Sequence, residues 1–218
     1  MRLLKRETTI PLPEVLDSST PQNPIHCPYI LMAFTSGKPL YEIWFGHHLE
    51  KATTREMTHK RRVRALEGIA AAMTKLDEFT SSTADTLQYG TLSGPIRRID
   101  LRATFNRYFH DNDASDDPIY VQCPPSADIL DYYTFILDRH PANHDFARGE
   151  AALHRQLVSW IPEPKGVDPF VLAHPDFDVQ NLIVDDDETL LAVIDWDGAS
   201  AKLRSSGNRR YPGWLTRD

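Results

Sequence analysis

Polar side chains that could bind a cation and move a proton lie close together near the end of the chain. Asn181 precedes a short apolar run, Leu182 to Val184, and Asp195 follows a second one, Leu190 to Ile194. The polar run between them, residues 185 to 189, has the composition of a turn, so the segment is predicted to form a β-hairpin that brings Asn181 near Asp195. An amide oxygen and a carboxylate placed together suit Mg²⁺, which usually shares its oxygen ligands with substrate phosphates.

Asp176 lies five residues before Asn181, on the segment that leads into the first strand of the hairpin. From there its carboxylate could reach a hydroxyl nucleophile beside a metal-bound triphosphate. The pattern therefore favours phosphoryl transfer, in which Asp176 orients or deprotonates the acceptor while Asn181 and Asp195 hold Mg²⁺ across the phosphates. Asp197 is expected to support these metal ligands without touching the metal itself.

The spacing His-x-Asp-x-x-x-x-Asn from His174 to Asn181, followed by an apolar strand that ends in Asp195, resembles the catalytic loop of the protein-kinase-like superfamily. The amino-acid sequence of this stretch is most similar to the aminoglycoside phosphotransferase family, especially its fungal small-molecule kinase-like members. The resemblance implies that Asp176 is the catalytic base, Asn181 and Asp195 are Mg²⁺ ligands, and His174 supports the loop. Asp178 departs from the pattern of bacterial drug-modifying members, which usually have a second His there, so the resemblance does not point to an antibiotic substrate.

The resemblance covers most of the chain. Residues 9 to 15 and residues 27 to 40 are similar to the late strands of the family's N-lobe and to the hinge that leads into its C-lobe. By resemblance, backbone groups of Met32, Ala33 and Phe34 would hold the adenine of ATP. ATP and Mg²⁺ are therefore the expected cofactors, and a small-molecule hydroxyl is the expected acceptor.

Several parts of such a kinase are missing from the sequence. It contains no glycine-rich phosphate loop, and no Lys lies where the phosphate-pairing lysine is expected. The expected organisation is an N-lobe remnant and hinge over residues 1–36 and a kinase-like C-lobe over residues 37–218 that is truncated at its end. Because the missing groups would stabilise the transferring phosphoryl, this chain is expected to be inactive in transfer. The alternative is a non-catalytic, pseudokinase-like binding module or a fragment from an incomplete gene model.

Hydrophobic patterns predict the elements around the hairpin. Strands are expected around Thr8 to Leu12 and Tyr29 to Phe34, and a second short hairpin is expected around Gly90 and Gly94. Amphipathic helices are predicted over Glu56 to Phe79, Asp128 to Arg139 and Asn143 to Trp160. This order predicts an α+β chain with a protein-kinase-like fold: a largely helical C-lobe, a catalytic β-hairpin and a truncated N-lobe remnant.

Other interpretations apply to single motifs. Leu190 to Gly198 resembles the opening of haloacid-dehalogenase-type phosphatases, whose first Asp is a nucleophile, but only 20 residues follow it and Ala199 replaces the expected Thr. Asp-x-Asp also suits a nucleotide-sugar transferase, although no alternating β–α pattern surrounds it. Residues 185 to 188 could bind Ca²⁺, and His47 with His48 could bind a metal, but both lack the ligand spacing that such sites need.

Composition narrows the class of protein. The 218 residues are 41% apolar, which is enough to bury a core, and the net charge of −7 argues against a nucleic-acid partner. Cys27 and Cys123 are too few for a disulfide framework and have no metal-binding spacing. The first residues, Met1 to Glu7, have no apolar core long enough for a signal peptide, and no run of the sequence is long enough to span a bilayer, so a cytoplasmic protein without a membrane partner is expected.

Overall fold

The computed structural model describes residues 1–20, 22–45, 54–88, 91–110, 118–139, 144–161 and 168–216. The chain divides into two compact units. Unit 1 consists of Met1–Glu78, His174–Asp197 and Asn208–Asp218, and unit 2 consists of Phe79–Ala173 and Gly198–Gly207. Because the chain returns to unit 1 at His174, the loop that carries the predicted chemistry belongs entirely to that unit.

The elements follow one another along the chain in this order. The first half contains α1 (Arg2–Glu7), β1 (Val15–Ser19), β2 (Tyr29–Met32), β3 (Lys38–Pro39), α2 (Leu40–Trp44), α3 (Arg55–Thr74), a 3₁₀ turn (Lys75–Glu78), β4 (Thr80–Ser81), β5 (Thr86–Gln88), β6 (Thr91–Gly94), β7 (Ile96–Ile99) and α4 (Leu101–His110). The second half contains β8 (Tyr120–Cys123), α5 (Ile129–Asp138), α6 (Asp145–Ser159), β9 (Phe170–Ala173), a 3₁₀ turn (Val179–Asn181), β10 (Leu182–Val184), β11 (Leu190–Val193), β12 (Ser200–Leu203) and a last 3₁₀ turn (Gly213–Thr216).

Unit 1 is built around a three-stranded antiparallel sheet in the order β11-β10-β3. Leu182 pairs with Val193 and Ile183 with Ala192 across the central hairpin, which confirms the hairpin predicted from its two apolar runs. Leu182 and Val193 are fully buried. The predicted helix over Glu56 to Phe79 is confirmed by α3 and the 3₁₀ turn that continues it. β1 and β2 form a separate two-stranded antiparallel sheet in the same unit.

The strand predicted around Thr8 to Leu12 is wrong. The backbone is irregular from the end of α1 to the start of β1, because Pro11 and Pro13 have no N–H to donate to a ladder. The segment is attached in another way, since the carbonyl oxygen of Pro11 accepts the N–H of Val193 at 2.9 Å. The strand predicted around Tyr29 to Phe34 is confirmed as β2, which ends at Met32.

Unit 2 contains a five-stranded antiparallel sheet in the order β4-β9-β12-β5-β6 and a second sheet formed by β7 and β8. Its core gathers side chains from both sheets and from α5, among them Ile96, Val121, Tyr132, Phe170 and Leu203. α5 and α6 confirm the two helices predicted here, and the pairing of β5 with β6 confirms the second hairpin. Sequence patterns did not predict α4, β9 or β12.

Helices and antiparallel sheets in both units confirm the predicted α+β class. Among the residues that the structure describes, none of the helices is long and apolar enough to cross a membrane. His47, His48 and Gly90, which the sequence patterns singled out, lie outside the described residues.

Candidate functional site

His174 begins the loop that runs to Asn181, and it connects this loop to the end of the β10–β11 hairpin. Its side chain is buried, Nδ1 accepts the N–H of Asp176 at 3.2 Å, and Nε2 lies 2.7 Å from the carbonyl oxygen of Ile194. Because Nδ1 is an acceptor, the ring proton must be on Nε2, which donates to Ile194. Burial lowers the pKa of His174 and favours this neutral form, although the Ile194 hydrogen bond and the charges of Asp195 and Asp176 act in the opposite direction.

Asn181 makes a second connection across the same loop. It is also buried, and its Nδ2 donates to the carbonyl oxygen of Asp176 at 2.8 Å and reaches Asp176 Oδ2 at 3.3 Å. The backbone carbonyl oxygen of Asn181 accepts the N–H of Ile194 at 2.9 Å. Since the amide nitrogen is used inside the loop, Oδ1 is the atom of this side chain that remains as an acceptor for a ligand.

Asp195 follows β11 in a left-handed backbone conformation, with φ of 61°. A non-glycine residue there costs about 1 kcal/mol or more, and Asp is one of the few that adopt it readily. Hydrogen bonds secure both neighbours, because the Ile194 N–H donates to Asn181 and the Trp196 indole N–H donates to Val193 at 3.0 Å. The exposed Asp195 carboxylate is therefore carried on a tightly held backbone.

Asp176 also presents an exposed side chain from a held backbone. Its N–H is bound by His174 and its carbonyl oxygen by Asn181, while Gln180 Nε2 donates to its Oδ2 at 3.1 Å. Asp178 accepts the N–H of Val179 at 2.7 Å and begins the 3₁₀ turn that leads to Asn181. This residue therefore helps to shape the loop.

A cavity of about 320 Å³ in unit 1 brings Met32 of β2 together with Asp195 and Asp197. The carboxylates and the apolar thioether thus meet around one space, although they are far apart in the sequence. The other residues that line it are Met1, Arg2, Val15, Ser18, Ile30 and Trp196.

Ala33 and Phe34 do not line this cavity. The N–H of Ala33 donates to the carbonyl oxygen of Glu14 at 2.8 Å, so it is already used within the hairpin, and the Phe34 side chain is 90% exposed. Of the three residues predicted to hold adenine, the structure therefore brings Met32 to the predicted metal residue Asp195.

The model of the phosphotransferase enzyme family matches residues 1–204. The chain belongs to this phosphotransferase family. The family prediction is thereby confirmed. No curated protein matches the sequence. Among solved structures, the chain is similar to a thermostable mutant of aminoglycoside phosphotransferase APH(4)-Ia in its apo form, with 16% identity and a TM-score of 0.49. The similarity covers 92% of this chain but 55% of that one, so the chain spans about half the length of this solved relative.

The donor set of this family member fits a metal ion that is shared with a ligand. Among the described residues, no group of three His, Cys, Asp or Glu side chains is arranged to hold a metal alone. Asn181 and Asp195 would supply one amide and one carboxylate oxygen, and Mg²⁺ typically combines one or two such protein ligands with waters and substrate phosphates. The residues present are therefore consistent with Mg²⁺ that arrives with a nucleotide.

Sequence patterns missed the hairpin face that completes the cavity. Val15 pairs with Met32 and Ser18 pairs with Ile30 across β1 and β2, so these residues form one wall. Ile30 and Met32 are two residues apart, which places both side chains on the same face of the strand. The alternation of Ile30 and Met32 along the sequence could have indicated a common face of the strand, but it could not show that this face would meet Asp195.

Proposed function

We propose that this member of the phosphotransferase family binds ATP with Mg²⁺ at a site arranged to transfer the γ-phosphoryl group to a hydroxyl of a small molecule. Transfer itself is expected to be absent in this chain, because its sequence has no glycine-rich loop and no phosphate-pairing Lys. The observation that carries the proposal is the cavity shared by Met32, Asp195 and Asp197. It offers an apolar hairpin face for a base beside carboxylates for a metal-bound phosphate chain. Family membership supports the same class of reaction.

In this proposal the adenine lies against Met32 and the hairpin face, with backbone groups of the segment from Met32 to Phe34 beside it. Asp195, which lines the cavity, and Asn181, which does not line it, would hold Mg²⁺, the latter through its Oδ1, and Asp197 would support Asp195 from the same cavity wall. When bound, Mg²⁺ would neutralise charge on the phosphate oxygens. The left-handed backbone at Asp195 directs its carboxylate without any further rearrangement, because hydrogen bonds hold both neighbouring residues.

Asp176 is the proposed catalytic base, which orients the acceptor hydroxyl and receives its proton at a carboxylate oxygen. Gln180 and Asn181 contact Oδ2, so Oδ1 is the oxygen with fewer partners in the loop. His174 does not receive the proton in this scheme, because both of its ring nitrogens are used to hold the loop. Its role is to position Asp176 relative to Asp195.

The lobe division predicted from the sequence, with residues 1–36 as N-lobe and hinge and residues 37–218 as C-lobe, forms part of the proposal. It would place Met32 and Asp195 in different lobes, with the nucleotide between them. The expected cytoplasmic location stays a prediction.

The decisive experiment measures nucleotide binding and transfer separately. Calorimetric titration with ATP in the presence of Mg²⁺ should show binding to the wild type and to Asp176→Asn, and loss of Mg²⁺-dependent binding in Asp195→Asn. Transfer, assayed with protein from the natural source, should be lost in both variants, since Asp195→Asn removes nucleotide binding and Asp176 acts after binding. Asp186→Asn is the matched control, because Asp186 is exposed in the β10–β11 turn and pairs with Lys38 at 3.0 Å.

Equal ATP affinity in the wild type and in Asp195→Asn would contradict the site. Binding without transfer is the result expected of this chain, and the same result with protein from the natural source would favour the alternative of a pseudokinase-like binding module. Because the chain spans about 55% of its solved relative, transfer should also be assayed with protein from the natural source. The intact mass of that protein, compared with 24.9 kDa for this chain, shows whether further segments are present.

A further inference from the structure

Unit 2 contains a second cavity, of about 700 Å³, that the phosphotransfer proposal does not use. It lies among the end of β7, the first turns of α4, the middle of α5 and the start of α6. The residues that matter most for its chemistry are Arg98, Arg102, Phe105, Tyr133, His144 and Phe146, and we call it the α4–α6 cavity. Its volume falls within the usual range for small-molecule sites.

Large apolar side chains of the α4–α6 cavity are open to solvent. Leu101 and Phe105 on α4 are 60% and 56% exposed, and Phe146 on α6 is 78% exposed. Binding of an apolar ligand would remove part of this surface from water, which favours binding. Single exposed apolar residues are common, but several around one concave surface are typical of a binding site.

Cations and hydrogen-bond donors accompany this apolar lining. Arg98 is held in place, because its Nη1 donates to the carbonyl oxygen of Tyr132 at 2.7 Å and its guanidinium lies 5.0 Å from the centre of the Tyr132 ring. Arg102 is exposed on α4, and His144 uses Nδ1 to accept the N–H of Ala147, which leaves its Nε2 as a donor. Glu150 is the one carboxylate among the described residues that line the cavity.

The lining is therefore locally basic in a chain whose net charge is −7. An arginine guanidinium binds a carboxylate through two parallel hydrogen bonds, a geometry that an ammonium ligand cannot use. Aromatic side chains of the cavity offer faces and edges against which a ring can pack. Together these features select a ligand with an aromatic body and one negative charge.

We propose that the α4–α6 cavity is a binding site for an amphipathic aromatic carboxylate. The ring of the ligand packs between Phe105 and Phe146, and its carboxylate accepts hydrogen bonds from Arg102. The proposal needs neither ATP nor Mg²⁺, so it stands or falls independently of the phosphotransfer site.

The test uses two probes that share a ring and differ in charge, 1-naphthaleneacetate and 1-naphthalenemethylammonium, each titrated calorimetrically into the whole chain. The acetate should bind at least about tenfold more tightly than the ammonium, since only the acetate can accept charge-assisted hydrogen bonds from Arg102. Arg102→Gln should weaken acetate binding about tenfold, and Arg102→Lys should weaken it less, because the charge remains. Phe146→Ala should also weaken it about tenfold through lost ring contact.

Two variants on α6 serve as matched controls. Arg148 pairs with Asp145 and Leu153 is 57% exposed, and neither residue lines the cavity. Arg148→Gln and Leu153→Ala should therefore leave acetate affinity unchanged. Equal affinity for the two probes, or equal affinity in Arg102→Gln and Arg148→Gln, would overturn the proposal. Circular dichroism confirms folding of each variant, and unfolding is not expected because Arg102 and Phe146 are both exposed.

Discussion

Two regions of unit 1 line the same cavity but are held in different ways. In the segment from His174 to Asp197, the exposed carboxylates of the proposed site lie beside buried residues that form hydrogen bonds within the segment. In the hairpin of β1 and β2, every residue of both strands is exposed or half-buried. The loop can thus fix the direction of a reactive group, whereas an isolated two-stranded hairpin is only marginally stable.

This difference shows which residues fix the positions of the reactive groups in such a site. The reactive carboxylates of Asp176 and Asp195 must stay exposed to reach a substrate, so the residues beside them supply the rigidity. His174 and Asn181 do so by satisfying backbone groups of the loop within a buried setting. The hairpin has no comparable buried polar residue, so it is the region expected to tolerate substitution.

The largest effect is expected from removing the buried support. His174→Ala should lower the free energy of unfolding by about 2–4 kcal/mol, because it leaves two loop groups without partners and creates a cavity beside Trp196, whose ring lies 4.7 Å away. Met32→Ala in the half-exposed hairpin should cost less than about 1.5 kcal/mol. Urea unfolding of both variants measures the difference, and equal losses would contradict the contrast between the two regions.

The next largest loss of stability is expected at Gly37, which directly precedes β3 and lies close to β10 of the central sheet. A Cβ at Gly37 would lie 2.7 Å from Ile183 Cγ2 and 2.7 Å from the carbonyl oxygen of Val184. Because that oxygen belongs to β10 and cannot move freely, Gly37→Ala should destabilise the fold by about 1–3 kcal/mol.

Gly149 provides the matched control for that substitution. It lies inside α6, where an added Cβ would have no atom within 4 Å apart from its chain neighbours and the backbone of the helix, so Gly149→Ala should stabilise the fold by about 0.5–1 kcal/mol. Thermal unfolding of both variants tests the pair. If Gly37→Ala is as stable as Gly149→Ala, the close approach of this segment to β10 does not exist in solution.

The smallest effect is a dependence of stability on pH through His174. Burial lowers the pKa of this ring in the fold below its ordinary value of 6.5. The unfolded chain then binds more protons than the folded one below pH 6.5, so the stabilisation is complete above that pH and is lost as the pH falls through the lowered pKa. His174→Gln should make the free energy of unfolding depend less on pH between pH 7.5 and acidic pH. His59→Gln, a substitution at an exposed position of α3, should leave that dependence unchanged. An unchanged slope in His174→Gln would exclude His174 as the source.

Much of the candidate site could be predicted because its signals are local. The two apolar runs and the polar turn between them predicted β10 and β11, and that hairpin alone brings residue 181 near residue 195. Helix periodicity likewise predicted α3, α5 and α6, although in α6 only Ala147 and Ala151 are buried while Leu153 and Leu157 are exposed. Thr8 to Leu12 misled the prediction, because an apolar segment with one proline inside it and another, Pro13, directly after it can be buried without forming a strand.

Other features depended on partners that are distant in the sequence. β9 is buried at all four positions and β12 at three of its four, so neither has the alternation of a half-exposed strand. The wall formed by Val15, Ser18 and Ile30 could not be predicted either, because these residues are common in any hairpin.

By itself, the sequence determined the family, the α+β class and the residue types available for phosphoryl transfer, since these depend on spacing and periodicity along one stretch of chain. Only the tertiary structure decided that Met32 meets Asp195, that the Ala33 N–H is already used by Glu14, and that aromatic and basic residues of α4 and α6 surround one cavity. The physical reason is that burial and hydrogen bonding between distant segments depend on how the whole chain packs, and no local pattern encodes that packing.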